Sequence, residues 1–151
     1  MSIEIGSKAP DFQLPDQEGK ERSLSSFAGK YLVLYFYPKD FTPGCTAESC
    51  GFRDSYEAFQ GLDCHIVGIS KDSPESHARF IGEYKLPFIL LTDKDDHVRK
   101  LYEVKSTLGI IPGRATYLID PEGVVRHYYA SQTQATKHVT QALQALKDLN
   151  K

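Results

Sequence analysis

Seven consecutive apolar residues, Tyr31-Leu32-Val33-Leu34-Tyr35-Phe36-Tyr37, form the longest apolar run in the chain and set what it can become. A strand without polar alternation has no face to give to water, so other parts of the chain must cover both sides of it. Shorter runs of the same kind recur at Ile66-Val67-Gly68-Ile69, Phe88-Ile89-Leu90-Leu91 and Ala115-Thr116-Tyr117-Leu118-Ile119. The stretches between them are long enough for crossover helices. Thr46 to Gln60 places Ser49, Phe52, Tyr56 and Phe59 on one helical face, and Glu75 to Tyr84 follows Ser73 and Pro74, a favourable N-cap and first-turn pair. The alternation predicts an α/β sheet with helices on both sides.

Asp120-Pro121-Glu122-Gly123 reads as a turn joining the strand at 115–119 to another at about 124–129, which ends the sheet in an antiparallel hairpin. Gln134 to Leu149 then carries Val139, Ala142, Leu143, Leu146 and Leu149 as an apolar stripe that packs on the sheet. Pro10, Pro15, Gly19 and Gly29 punctuate the first 30 residues, which suits an N-terminal hairpin at about 12–15 and 20–24 laid on the domain. No repeat or linker interrupts the 151 residues, and one domain spanning 1–151 is expected.

Charge narrows the function. With 18 basic and 20 acidic residues the net charge is -2, which creates no field to gather nucleic acid or a membrane surface. The apolar run falls well short of the ~20 residues of a membrane helix, and Met1-Ser2-Ile3-Glu4 does not begin a secretory signal, so a soluble cytoplasmic protein is expected. Three cysteines are an odd number in a chain long enough to fold on its core, so reactive or buried thiols fit better than a disulfide framework.

The stretch from Tyr37 through Pro38, Lys39, Asp40, Phe41, Thr42, Pro43 and Gly44 to Cys45 carries the chain out of a buried strand into a helix, a place where α/β sheets bind ligands. With Thr42 as N-cap and Pro43 as first helical residue, Cys45 falls in the first turn, where free N–H groups and the helix dipole stabilise a thiolate. A thiolate attacks peroxide oxygen, and the resulting sulfenic acid condenses with a second thiol. Cys50 is the nearest candidate. On an ideal helix the two Cα atoms stand about 8 to 9 Å apart, beyond the ~7 Å that a disulfide tolerates, so pairing requires the first turns to unwind. Cys45 shares the inward stripe of Ser49 and Phe52, whereas Cys50 groups with Thr46, Arg53 and Glu57 toward solvent. On spacing alone, two incidental small residues in a helix remain an open alternative.

The segments Ala9-Pro10-Asp11-Phe12, Leu34 to Asp40, Thr42-Pro43-Gly44-Cys45-Thr46, Cys50-Gly51-Phe52-Arg53-Asp54, and Arg114 ahead of Tyr117-Leu118-Ile119-Asp120 resemble the PrxQ peroxiredoxins, also called the bacterioferritin comigratory protein family, over nearly the whole chain. Pro38, Thr42 and Cys45 meet the family's active-site pattern of Pro, three residues, Thr or Ser, two residues, Cys. The resemblance implies a thioredoxin-like fold with an N-terminal hairpin extension and a mixed sheet. It implies that Cys45 is the peroxidatic cysteine, Cys50 the resolving one in an intramolecular disulfide, Thr42 the hydroxyl that bonds the peroxide, Pro38 the shield of the thiolate and Arg114 the cation beside it. Hydrogen peroxide and organic hydroperoxides are the implied substrates and a thioredoxin-like protein the implied reductant. No second subunit is needed for resolution, hence a monomer, and no metal, haem or flavin is required. Without the resemblance, Arg114 reads as a surface loop charge and Glu48 as either a partner of that Arg or a solvated helix acid.

Cys64 opens a strand and reads as a buried thiol, with the role of reserve resolving residue. The histidines at 65, 77, 97, 127 and 138 show no paired metal-ligand spacing and read as structural or solvated. Competing classes are a thiol-disulfide oxidoreductase, against which the Cys-x-x-x-x-Cys spacing argues, a peroxide-sensing switch that keeps the same cysteines, and a binding module.

Overall fold

A computed structural model describes residues 4–104, 113–131 and 134–150. The run that begins at Tyr31 lies at the centre of the sheet because both its faces are apolar. In chain order the elements are β1 (Gln13–Pro15), β2 (Glu21–Ser23), a 3₁₀ turn (Leu24–Phe27), β3 (Tyr31–Phe36), α1 (Pro43–Asp54), α2 (Tyr56–Gln60), β4 (Cys64–Ser70), α3 (Pro74–Tyr84), β5 (Ile89–Thr92), α4 (His97–Leu101), β6 (Ala115–Ile119), β7 (Val125–Ala130) and α5 (Ala135–Leu149). The five-stranded sheet runs β5-β4-β3-β6-β7. β3 pairs in parallel with β4 and β4 with β5, while β6 and β7 join antiparallel. β1 and β2 form a separate hairpin.

Period-two alternation along β3 sends its residues to two cores. Leu32, Leu34 and Phe36 meet Leu14 of the hairpin, Tyr102 and Tyr117 on one face. Val33, Tyr35 and Tyr37 meet Phe52, Phe59, Phe80, Val139 and Leu146 on the other. Each such side chain, fully buried, contributes about 1.5–3 kcal/mol. Gly68 of β4 makes room for this packing, since a Cβ there would stand 2.7 Å from both the Tyr35 ring and Leu90 Cδ2.

The helix starts at Pro43, as the N-cap reading of Thr42 expected, but the stretch to Gln60 is two helices divided at Ser55, whose φ of -100° and ψ of 6° leave the α region. The short α4 has too few residues to show a helical period, and the sequence reading did not anticipate it. The N-terminus of α3 forms as expected, with Ser73 accepting from the Ser76 N–H at 3.1 Å and Pro74 in the first turn. Among the described residues no helix is long and apolar enough to cross a membrane.

Candidate active site

The parallel strand β3 delivers the chain at its carboxyl end into the loop that starts α1, and that loop is tied down residue by residue. The Tyr37 hydroxyl donates to Asp40 Oδ1 at 2.6 Å, the Ser76 hydroxyl donates to Asp40 Oδ2 at 2.9 Å, and His77 Nδ1 lies 2.8 Å from the same oxygen. The Asp40 N–H donates to Asp72 Oδ2 at 2.8 Å. Phe41 takes a φ of +66°, an uncommon conformation for a bulky residue, and its ring packs edge-on against Phe80 at 5.1 Å between centroids. Such a backbone persists only when its surroundings fix it, and the Asp40 ties and the Phe80 contact do so. Pro38 is half-buried at the head of this loop.

Thr42 occupies the N-cap position with extended backbone, and Pro43 is the first helical residue, as the sequence suggested. Its side chain does not cap. The hydroxyl donates instead to the carbonyl of Lys39 at 2.8 Å, bracing the loop.

Cys45 is 1% exposed and faces inward, and Cys50 is half-buried. Arg114, which precedes β6, is not a surface charge: it is buried, donates from Nη2 to Cys45 Sγ at 3.3 Å and from Nη1 to Glu48 Oε1 at 2.7 Å. The guanidinium reaches the thiol by passing over Gly44, where a Cβ would stand 3.0 Å from Nη2. Glu48 is no solvated acid either, being wholly buried. Burial pushes its pKa up to about 8 despite the attraction of Arg114. Burial alone would lower the pKa of Arg114, but Glu48 and Cys45 beside it outweigh burial and raise it.

Sequence reasoning missed Arg99 of α4. It is buried, donating from Nη1 to the Gly113 carbonyl at 2.7 Å and from Nη2 to the Tyr37 carbonyl at 3.1 Å, so one side chain joins the end of β3 to the residue before Arg114. Asp93 holds α4 in place by accepting the N–H groups of Val98 and Arg99 at 3.1 and 2.9 Å. The sequence offers one faint signal, an Asp just upstream of a basic helix. The Tyr35 hydroxyl shares a 2.9 Å hydrogen bond with Ser49, fixing α1 over β3.

Ligating atoms of Asp40, Asp72 and His77 lie within 4.8 Å of one another. Both oxygens of Asp40 and both nitrogens of His77 already make hydrogen bonds, the last from His77 Nε2 to the Leu91 carbonyl at 3.1 Å. The cluster therefore acts as an anchor between the loop and α3.

Cys64 is buried at the start of β4, and burial pushes its thiol up to about 12. It should resist alkylation in the native reduced protein at neutral pH and react only after denaturation, whereas half-buried Cys50 is modified in the native state. Peptide mapping after iodoacetamide checks this, and modification of Cys64 as fast as Cys50 would contradict it.

The arrangement presents a sulfur at a helix N-terminus beside a guanidinium, suited to attack on a polarised oxygen. Residues 5–128 match the AhpC/TSA family. The chain is 52% identical over 145 residues to the chloroplastic peroxiredoxin Q of Sedum lineare, covering 95% of this chain and 78% of that one. It is 45% identical over 159 residues to peroxiredoxin Bcp of Bacillus subtilis, covering 99% of each. Peroxidoxin BcpB from Mycobacterium tuberculosis superposes with a TM-score of 0.90 at 34% identity, covering 97% of this chain and 98% of that one. The bacterioferritin comigratory protein of Xanthomonas campestris superposes with a TM-score of 0.86 at 32% identity, covering 99% and 98%.

Proposed function

The chain belongs to the AhpC/TSA family as a peroxiredoxin, and from that premise we propose that Cys45 is the atom that attacks peroxide, with Arg114 and Thr42 as its helpers and Cys50 as the resolving thiol. The observation that carries this is the Arg114 Nη2 hydrogen bond to the buried Cys45 sulfur at the head of α1. The guanidinium favours the thiolate and remains in place as charge grows on the departing oxygen.

In the first step the Cys45 thiolate attacks the near oxygen of a hydroperoxide, a sulfur–oxygen bond forms as the oxygen–oxygen bond breaks, and the departing alkoxide or hydroxide takes a proton from solvent. Cys45 is oxidised to the sulfenic acid. The Cys50 thiolate then attacks that sulfur, a sulfur–sulfur bond forms as the sulfur–oxygen bond breaks, and the departing hydroxide takes a proton from solvent to leave as water. On α1 the two residues are five apart, so the first turns must open before their sulfurs meet. A dithiol protein of the thioredoxin type reduces the disulfide and is itself oxidised. Organic hydroperoxides join hydrogen peroxide as substrates, supported by the alkyl peroxide reduction described for the Xanthomonas relative. Pro38 keeps water from the thiolate, the chain acts as a monomer because both cysteines lie in one helix, and reduced thiols suit the cytoplasm.

Peptide mapping by mass spectrometry after one equivalent of hydrogen peroxide tests the assignment. The expected product is a Cys45–Cys50 disulfide with Cys64 untouched. A disulfide to Cys64 would remove Cys50 from its role, and a Cys45 that stays reduced would overturn the whole reading.

A further inference from the structure

The chemistry above needs Arg114 within hydrogen-bond reach of Cys45, and the two side chains hang from different strands. Cys45 follows β3 and Arg114 precedes β6. β3 and β6 are antiparallel neighbours, and their last pair at this end of the sheet is Phe36 with Ala115. Past that pair the chains part, one through Tyr37 into the loop that ends at Cys45, the other back through Arg114 and Gly113. Ladder hydrogen bonds fix the spacing of two strands only as far as the ladder runs. Beyond it, Arg99 bridges the two chains: Nη2 donates to the Tyr37 carbonyl at 3.1 Å and Nη1 to the Gly113 carbonyl at 2.7 Å.

Burying a guanidinium is unfavourable, and the Arg99 residue is only 5% exposed. Its ion-pair partner offsets little of this, because Asp96 Oδ1 stands 3.5 Å from Nε, beyond hydrogen-bond length, and is half-buried. Docking α4 on the sheet does not call for such a group, since Val98 already packs this helix into the core. An apolar side chain cannot offer two donors in one rigid plane to carbonyls of two separate chains. Val98 joins the core of Leu32, Leu34 and Phe36, whereas Cys45 belongs to the core on the other face. Arg99 thus reaches the backbone beside Arg114 from the face opposite the sulfur. Arg114 has two other holds, the Ser131 N–H on its carbonyl at 3.3 Å and Glu48 Oε1 on its Nη1 at 2.7 Å.

We propose that Arg99 is a positioning residue for peroxide attack: by gripping the Tyr37 and Gly113 carbonyls it sets the separation of the Cys45 loop from the backbone that carries Arg114, and with it the 3.3 Å contact from Arg114 Nη2 to Cys45 Sγ. Arg99 acts on the reaction through Arg114 and not by touching the reacting atoms. A donor to a developing anion is effective only when it is held in place before the reaction, so a small drift of Gly113 is felt at the sulfur. The inference rests on the reading of Cys45 as the attacking thiolate and Arg114 as its helper.

A double-mutant cycle tests this. The rate of Cys45 oxidation by hydrogen peroxide is measured by stopped flow in the parent, Arg99→Gln, Arg114→Gln and the double variant, each shown by circular dichroism to be folded. Arg99→Gln alone should slow oxidation by about 10- to 10²-fold, the effect of a misplaced catalytic group. In the Arg114→Gln background the same change should cost less than about twofold, because the group it positions is already gone. A general loosening of the fold, or a direct effect of the Arg99 charge on Cys45, would slow both backgrounds alike. The second readout needs no peroxide: in ¹⁵N spectra of the reduced protein, the Arg114 Nε–H resonance, assigned by its absence from Arg114→Gln, should shift or broaden in Arg99→Gln. Equal slowing in both backgrounds, a single-variant rate within about twofold of the parent, or an Arg114 resonance unmoved in folded Arg99→Gln would each overturn the proposal. If Arg99→Gln does not fold, Arg99→Lys, which keeps the charge but not the planar fork, takes its place in the cycle and in the spectra, with a smaller slowing expected. Should Arg114→Gln alone leave the rate unchanged, the helper role of Arg114 fails, and the resonance still decides whether Arg99 holds it.

Discussion

Replacing Arg114 with Gln should slow the oxidation of Cys45 by hydrogen peroxide by about 10²- to 10³-fold, the loss seen when one preorganised donor to a developing anion is removed. Gln is shorter and uncharged, so it can hydrogen-bond to Glu48 or approach the thiol but cannot span from Glu48 Oε1 to Cys45 Sγ as the two guanidinium nitrogens do. Two losses coincide: the charge that favours the thiolate, and the donor that stays aligned while the oxygen–oxygen bond breaks. Lys restores charge but not the planar fork, so Arg114→Lys should recover only part of the rate. Stopped-flow measurement of the reduced protein against hydrogen peroxide checks both variants, with far-ultraviolet circular dichroism to show that each is folded. A rate for Arg114→Gln within about threefold of the parent would mean that the guanidinium is structural, which is well inside the effect expected of a transition-state donor.

That Arg114 matters is legible in the sequence only through resemblance, and the reason is physical. The strands announce themselves locally: an unbroken apolar run marks β3, a run broken only by Thr116 marks β6, and the turn at Asp120 through Gly123 marks the β6–β7 hairpin, where Asp120 indeed accepts the N–H groups of Glu122 and Val124. Pro43 at the head of α1 and Ser73 ahead of α3 are likewise local chemistry. The site is built from contacts with no local trace. Arg114 reaches Cys45 across 69 positions, Glu48 across 66, and Arg99 reaches Tyr37 across 62. Nothing near Arg99 distinguishes it from the other basic residues of α4, and nothing near His138 says that its Nδ1 lies 3.4 Å from Glu48 Oε2. Even Thr42, correctly placed at the helix start, turns its hydroxyl back to Lys39 because the loop needs an internal tie more than the helix needs a cap. Composition and period show where strands and helices form; which polar side chains meet in the interior is decided only when the sheet order brings β3, α1, α4 and β6 to one end.

That same sheet order separates Cys45 from Cys64, and the place of each of the three cysteines fixes what their variants should do. Cys45→Ser should show no measurable peroxide consumption, because a serine hydroxyl in that position is not ionised and no other thiol lies beside Arg114 among the described contacts. Cys50→Ser should behave differently: one equivalent of peroxide is consumed at nearly the parental rate, Cys45 stops as a sulfenic acid, and turnover with thioredoxin-type reductants ceases. Cys64 cannot replace the lost thiol. It enters β4 opposite Tyr31 at the amino end of the parallel pair, whereas Cys45 lies beyond the carboxyl end of β3, so a strand length of roughly 20 Å separates the two ends. A disulfide across that distance would require the core between them to open. Cys64 is also held as a thiol, pushed up to about 12, and so lacks the thiolate needed to attack. A burst assay with a sulfenic-acid trap reads both variants in one experiment. Sustained turnover in Cys50→Ser would show that another thiol, reached intermolecularly, does the resolving, and a burst in Cys45→Ser would move the attack itself to a different sulfur.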